Sequence, residues 1–418
     1  MKIISAVGLV LILLIAFLLS ENKKKVNLKT LLWGLALQFV FALLILKTAW
    51  GNKVFEFINI AVVKLLNFTI AGSSFIFGPL VTDMKSFGFI FAFQVLPTII
   101  FFAALMGVLY YLGIMQWVIQ LFAKVMVKLM KTSGVESLTA SANIFVGQTE
   151  APLLVKPYIQ HVTKSEMMAI MTTGMATIAG GVMIAYAAML RDYLPNIAGH
   201  LMTACVLNAI GGLIFTKIMI PETEESETLG QVKVHVPKTD ANVIDAAANG
   251  TFTGLHMALN VGAMLLAFIA LIAMCNFGLK FVGIAINSVF HTHLCLSFEW
   301  IFGRIFSPFA YIIGIPWKDC MPVGNLLGVK LILNEFVAYS NFSMVLKTSF
   351  AKFDTRSIIL ASYALCGFAN FSSIAILIGG IGGIAPTRRH DIAKLGIKAL
   401  IAASLVNLAS AAIAGILI

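Results

Sequence analysis

The sequence predicts an all-α polytopic membrane protein of about eight transmembrane helices, with two opposed re-entrant hairpins and two broken helices in an inverted repeat. Three observations predict it. Of 418 residues, 60% are apolar and 11% charged, with a mean hydropathy of +0.97; a soluble domain has roughly 45–50% and about 25%. Apolar runs of span length recur along the whole chain. Two further stretches are too polar to span lipid and too apolar to be loops, and each precedes an interrupted span. This balance excludes a soluble enzyme, a disordered scaffold and a secreted disulfide protein. The net charge is 29 − 18 = +11. The basic residues do not cluster on a polar domain, so nucleic acid is not the partner, and the excess suits cytoplasmic loops beside a lipid bilayer.

The candidate spans are 3–20, 30–48, 87–113, 164–190, 197–218, 254–284, 357–380 and 393–417. The first is followed, not preceded, by Lys23, Lys24, Lys25 and Lys29, so it reads as a retained span and not a signal peptide. An even number of spans puts both termini on one side, and positive-inside charge makes that side the outside. The basic stretches 21–29, Lys124 to Lys131, and Arg388, Arg389 and Lys394 then fall inside, while Lys347, Lys352 and Arg356 fall against the rule. Residues 54–78, interrupted by Glu56, Lys64, Gly72, Ser73 and Ser74, read as an amphipathic interfacial segment. Residues 221–248 are the one long polar stretch and read as a cytoplasmic linker between two halves. The organisation is therefore 1–113, scaffold spans with the interfacial helix; 114–220, first hairpin, broken helix and following span; 221–250, polar loop; 251–304, scaffold span and external connection; 305–418, second hairpin, broken helix and last span.

The first hairpin covers 138–160 and the second 305–345. The interrupted spans that follow carry Met175-Ala176-Thr177-Ile178-Ala179-Gly180-Gly181 and Cys366-Gly367-Phe368-Ala369-Asn370-Phe371-Ser372-Ser373. Three spans lie between the two units, so the second hairpin enters from the opposite side. Broken segments at corresponding places in two halves mark the binding site of a transporter. Most acidic residues sit at span ends or in loops, but Glu150 and Glu335 lie inside apolar hairpins. A carboxylate at membrane depth is costly unless it faces a cavity, a partner or an ion. Gly147, Gly180, Gly181 and Gly367 suit unwound backbone whose freed carbonyls can hold a cation. Gly380 to Gly383 and Ala403 to Ala414 read as close helix packing.

Gln148, Thr149, Glu150, Glu335, Asn370 and Ser373 make a polar and acidic site with no buried Arg or Lys. It suits an uncharged, hydroxyl-rich solute, with Phe368 and Phe371 offering an apolar face to a ring. Five cysteines (Cys205, Cys275, Cys295, Cys320, Cys366) lack C-x-x-C spacing, and His291 and His293 do not share a helix face, so no disulfide framework or metal cluster follows. No GxGD pair, HExxH helix or serine nucleophile supports an intramembrane hydrolase. Two opposed hairpins with broken helices favour a transporter over a channel for small polar solutes. The residues alone give a secondary transporter for a polar neutral solute, coupled to a cation.

Three motifs carry a resemblance. Gly147-Gln148-Thr149-Glu150-Ala151-Pro152, Asn334-Glu335-Phe336-Val337-Ala338-Tyr339 and Gly367-Phe368-Ala369-Asn370-Phe371-Ser372-Ser373-Ile374 resemble the concentrative nucleoside transporter family, in its short bacterial form. The resemblance implies a homotrimer in the bacterial inner membrane that takes up nucleosides such as uridine, cytidine and adenosine. It implies a mobile transport domain that alternates across a scaffold. It also implies that Gly147, Gln148, Thr149, Glu150 and Val182 surround the base, and that Glu335, Phe368, Asn370 and Ser373 hold the ribose. It implies a sodium ion held by Asn143, Val146, Thr177 and Ile178. Thr177 stands where the family can have serine, which gives the same hydroxyl oxygen. Proton-coupled relatives lack the asparagine at Asn143 and the proline at Pro152, so the resemblance favours sodium, with proton coupling the alternative.

Overall fold

The computed structural model describes all residues except 84, 85, 89, 231–239, 291–295 and 350–352. His291, His293, Cys295 and Lys352 therefore lie outside the described residues. Helices follow one another as α1 (Lys2–Leu18), α2 (Leu28–Lys47), α3 (Ala49–Phe77), α4 (Pro79–Thr82), α5 (Phe91–Gln94), α6 (Leu96–Tyr111), α7 (Ile114–Met130), α8 (Gly134–Ala142) and α9 (Lys164–Ala176). Then come α10 (Gly180–Leu190), α11 (Ile197–Met219), α12 (Val243–Phe290), α13 (Phe298–Ile312), α14 (Trp317–Ile332), α15 (Glu335–Ser349), α16 (Thr355–Leu365), α17 (Phe371–Ile384) and α18 (Arg389–Leu417). An isolated bridge between Ser133 and Leu229 is the one β-type pairing among the described residues.

Seven helical stretches among the described residues are long and apolar enough to cross a membrane, or eight if α13 and α14, bent by 118°, form one span. The 29-residue α3, which takes in the expected interfacial helix, is one of them and runs unbroken past Glu56 and Lys64. α12 is 48 residues long and starts at Val243, so the helix takes in the end of the stretch expected to be loop. Within 305–345 the chain forms the end of α13, then α14 from Trp317 and α15 from Glu335.

Burial separates a core from a shell. The span window of α9–α10 is 100% buried and that of α11 94%, whereas α2, α3 and α5–α6 are 22–28% buried and α12 12%. Core helices α9, α11, α16 and α18 pack on one another, and α6 packs along α12. The α6–α12 contact is backbone-close: a Cβ on Gly107 would sit 2.5 Å from Ala246 O, and one on Gly250 2.5 Å from Ala103 O. Small residues let apolar helices approach this far where no hydrophobic drive separates protein from lipid.

The two ends of the core are built differently. At one end the chain termini meet, Lys2 Nζ donating to Leu417 O at 3.3 Å. There Arg356 donates to Gly314 O (2.9 Å), Ser5 Oγ (2.9 Å) and Gly415 O (2.6 Å). Arg356 is thus bound to two backbone carbonyls near helix ends and to one side-chain hydroxyl. At the other end Glu21 pairs with Lys164 at 2.7 Å and with Lys398, and Arg388 donates to Val162 O at 2.8 Å.

The polar stretch after α11 is not a free linker where it is described. Lys217 pairs with the buried Glu136 and with Glu222 (3.2 Å), and it donates to Ser165 Oγ at 2.9 Å. Ser226 Oγ donates to Glu166 at 2.5 Å, and Gly134 N donates to Thr228 O at 2.9 Å. Residues 221–230 therefore clasp the starts of α8 and α9. Both starts carry capping boxes, Ser133 with Glu136 and Thr163 with Glu166, which satisfy N-terminal amides that would otherwise be orphaned.

Candidate functional site

Two hairpin tips and two helix breaks meet inside the core. The first tip, Asn143 to Glu150, follows α8, and the first break, Thr177 to Ala179, separates α9 from α10. The second tip, Leu333 and Asn334, joins α14 to α15, and the second break, Cys366 to Asn370, separates α16 from α17. The breaks touch: Phe368 N donates to Thr177 O at 3.1 Å. Gly367 makes this crossing possible, since a Cβ there would lie 2.6 Å from Ala176 O and 2.5 Å from Asn407 Oδ1.

One polar chain runs through the expected substrate residues. Gln148 Nε2 donates to Ser373 Oγ at 3.2 Å, joining the first tip to the first turn of α17. Asn370 caps that helix, its Oδ1 accepting from Ser373 N at 2.9 Å and from Ser372 Oγ at 2.7 Å. Asn370 Nδ2 donates to Glu335 Oε2 at 3.0 Å, and Tyr186 OH donates to Glu335 Oε1 at 3.0 Å. A carboxylate has about four acceptor positions, so Glu335 keeps capacity for a bound hydroxyl. Gln148 Oε1 is buried with no hydrogen-bond partner in the structure. Gln148 itself rests on Gly174, where a Cβ would come within 2.9 Å of Gln148 Cβ.

Asn143 and Thr177 are oriented by Thr173. Thr173 Oγ1 donates to Ala169 O at 2.7 Å, so it accepts from Asn143 Nδ2 at 3.2 Å. That fixes the amide and leaves Asn143 Oδ1 facing inward, buried and without a partner. Thr177 Oγ1 donates its proton to Thr173 O at 2.9 Å, so its lone pairs are free. Gly180 N donates to Phe145 O at 2.9 Å, bringing the hairpin backbone beside Val146 against the break beside Ile178. A small hard cation takes oxygen ligands, and these are oxygen donors without competing protons.

Not every expected residue joins this cluster. Glu150 accepts from Gly147 N at 3.3 Å and lines, with Val146 and Ala179 of the same tip and break, a cavity of about 420 Å³ that reaches Tyr110, Gln116, Asn249 and Thr253. The cavity lies between the first hairpin and the α6–α12 pair. Thr149 packs its methyl on Gly380, where a Cβ would be 2.9 Å away. This contact bears out close packing at Gly380, while Gly379 and Gly383 face open space. Val182 is buried on the first turn of α10, and Gly147 has only Ala179 Cβ near it, at 3.8 Å from an added Cβ. Phe371 is 47% exposed and takes no part in the chain of bonds.

Sequence reasoning missed four participants. Tyr186 binds Glu335 and stacks on Tyr339 at 4.1 Å between ring centroids. Thr173 orients the two free oxygens. Asn407 Nδ2 donates to Ala176 O (2.7 Å) and to Cys366 O (3.0 Å). Lys330, 4% exposed, donates to Ala364 O (2.9 Å) and to Asn407 Oδ1 (2.5 Å). The site was expected to have no buried Arg or Lys; Lys330 is buried behind it and bonds none of its six residues. The signal was present: a lysine inside the apolar run Leu326 to Leu333, five residues before Glu335, is costly at membrane depth unless it has partners.

Comparison with known proteins places these features. The model described as the carboxyl-terminal part of Na+-dependent nucleoside transporters matches residues 200–415, and the amino-terminal model matches 7–80. A nucleoside-recognition model, Gate, matches 92–192. The chain is 46% identical to the uncharacterized transporter YutK of Bacillus subtilis over 98% of both chains. It is 40% identical to solute carrier family 28 member 3 of Mus musculus, covering 100% of this chain and 59% of that one. Among solved structures, CNTnw in an inward-facing substrate-bound state is 42% identical, with a TM-score of 0.91 over 100% of this chain and 98% of that one.

Proposed function

The chain belongs to the concentrative nucleoside transporter family, and we propose that it carries nucleosides into the cell together with sodium. It is a multi-pass membrane transporter of nucleosides and not an enzyme. One observation carries the sodium reading: Asn143 and Thr177 are both held by Thr173, with Asn143 Oδ1 buried and unpaired and the Thr177 hydroxyl proton already committed. A buried polar atom left unpaired costs roughly 1–3 kcal/mol, and an ion held by Asn143, Thr177 and the carbonyls of Val146 and Ile178 relieves that cost.

In this reading sodium binds first and fixes the first hairpin tip. Gln148, Thr149 and Glu150, with Gly147 and Val182 beside them, then receive the base. Glu335, Asn370 and Ser373 receive the ribose, with Phe368 at its side. The unpaired Gln148 Oε1 is an acceptor for a base N–H. The buried core then moves against the α6–α12 scaffold by alternating access, and the inward sodium gradient drives uptake. The assembly is a homotrimer in the bacterial inner membrane, with both termini outside. The placement of the termini at the end opposite Lys164, Arg388 and Lys398 supports that orientation.

The test is uptake of radiolabelled uridine, cytidine and adenosine into cells or vesicles with sodium, lithium or choline outside. Accumulation against the nucleoside gradient that requires sodium is expected. Equilibration without accumulation would indicate a channel. Uptake indifferent to sodium and driven by an inward proton gradient would overturn the ion site and turn attention to Glu150, which faces the cavity.

A further inference from the structure

The buried ammonium of Lys330 has a place that the transport reading does not use. It sits on α14, in the second hairpin, yet both its hydrogen bonds leave that hairpin. One goes to Ala364 O, in the last turn of α16 before the second break, and the other to Asn407 Oδ1 on α18. Carbonyls in a helix's last turn lack intrahelical donors and carry partial negative charge, and the Lys330 amine supplies one of them with a donor. No carboxylate lies within ion-pair distance of Lys330 among the described residues.

Asn407 extends the connection. Its Oδ1 accepts from Lys330, while its Nδ2 bridges Cys366 O in the second break and Ala176 O next to Thr177 in the first. Two side chains therefore link the hairpin that presents Glu335 to the backbone that presents Thr177 and Ile178. Asn208 Nδ2 adds a bond to Cys366 O at 2.7 Å, which holds the second break from the other side.

We propose that Lys330 is the positioning residue that couples the ion to the sugar, its ammonium passing the geometry of the first break through Asn407 to the hairpin bearing Glu335. The proposal rests on the sodium-coupled reading above. Sodium that orders the first break also orders Ala176 O, then Asn407, and then Lys330 and the second hairpin. By reciprocity, nucleoside on Glu335 tightens sodium by the same factor.

The test measures uridine dissociation constants on purified protein at saturating sodium and with choline in its place. The ratio of the two is the coupling, typically about 5- to 150-fold for linked sites. Lys330→Gln and Asn407→Ser each keep a hydrogen-bonding group in a smaller side chain, and either one, recovered monodisperse, decides. The expected result is a ratio at least fivefold below the wild-type ratio, approaching one. Arg356→Met, which removes part-buried bonds at the core's far end, lowers thermal stability and leaves the ratio unchanged. A wild type with no sodium effect overturns the sodium reading itself. A wild type with a large ratio that Lys330→Gln or Asn407→Ser retains overturns the role of Lys330. An equal fall in Arg356→Met reduces Lys330 to a structural residue and overturns the proposal as well.

Discussion

The two hairpin-and-break units use one backbone device and fill it differently. In each, a hairpin tip meets a helix interrupted for three to five residues, between α9 and α10 or between α16 and α17. At the first break, Asn143 Oδ1 remains without a partner, and Thr177 offers free lone pairs. At the second, Lys330 Nζ donates to Ala364 O, and Asn208 and Asn407 take the carbonyl of Cys366. Freed carbonyls at a helix break need donors, and at the first break Asn407 Nδ2 and Phe368 N supply them to Ala176 O and Thr177 O. The first unit thus keeps side-chain oxygens unpaired, while the second is closed by donors from the chain itself.

The largest expected effect breaks the second unit at its acid. Glu335→Gln replaces an acceptor of two bonds by an amide whose N–H₂ faces a donor, either Tyr186 OH or Asn370 Nδ2. Bonds to a charged group contribute roughly 1.5–3 kcal/mol, so ribonucleoside affinity should fall about tenfold or more. Competition binding with uridine and its deoxy analogues checks this. The loss should be smaller for analogues missing the contacted hydroxyl, and an equal loss for every sugar would remove Glu335 from the ribose.

Thr177→Val tests the first unit. It removes one hydroxyl oxygen and the bond to Thr173 O. The sodium concentration for half-maximal uptake should rise about three- to tenfold, in line with one hydrogen-bonding group, while saturating sodium restores most transport. A changed maximal rate with unchanged sodium dependence would place Thr177 outside the ion's shell.

Much of this contrast was legible in the sequence, and for physical reasons. Hairpins with acids in apolar surroundings and Gly-rich interruptions stand out because lipid tolerates neither free carboxylates nor unpaired backbone. Glu335, Asn370, Ser373 and Gln148 were found that way and do share one chain of bonds. Glu150 was found by the same rule and lines the cavity beside the first tip without joining that chain of bonds, because composition does not say which side of a tip a side chain takes. Tyr186 and Asn407 were not legible. A tyrosine in an apolar helix and an asparagine among alanines look like ordinary packing until the partner helix is in place. Lys330 was legible as a buried charge and was missed by attending only to acids. The start of the 221–248 stretch read as a linker because its charges find Lys217 and the two capping boxes only in three dimensions.

A smaller effect sharpens the second unit. Tyr186→Phe removes one donor from Glu335 and keeps the ring that stacks on Tyr339. Nucleoside affinity should fall about threefold, less than for Glu335→Gln, because Asn370 still holds the carboxylate. The two changes act on one group, so they should not add: in a double-mutant cycle Tyr186→Phe should cost almost nothing once Glu335 is Gln. Additive losses would show that Tyr186 acts on the substrate by another route.

The smallest effect lies at the bases of the two units, where the comparison turns on pH. Glu21, in the loop between α1 and α2, meets Lys164 at the start of α9 and Lys398 on α18. Burial raises the pKa of its carboxyl, but the hydrogen bonds and charges of Lys164 and Lys398 outweigh burial and hold it below its ordinary value of 4.5. A carboxyl whose pKa is lower in the folded state stabilises the fold above the unfolded value and loses that contribution as pH falls through the folded one. The half-exposed Lys164 makes this a partly solvated pair, worth about 0.2–1 kcal/mol. Glu21→Gln should therefore lower Tm slightly and constantly between about pH 6 and 8, and the gap should close on acidification below the ordinary carboxyl range. High salt should narrow it as well. At the opposite base Arg356 gives its bonds to neutral oxygens, so the gap for Arg356→Met should vary far less over the same range. A Glu21→Gln gap that widens in acid would mean that the pair does not hold the carboxylate, and the ion-paired base of the first unit would lose its contrast with the second.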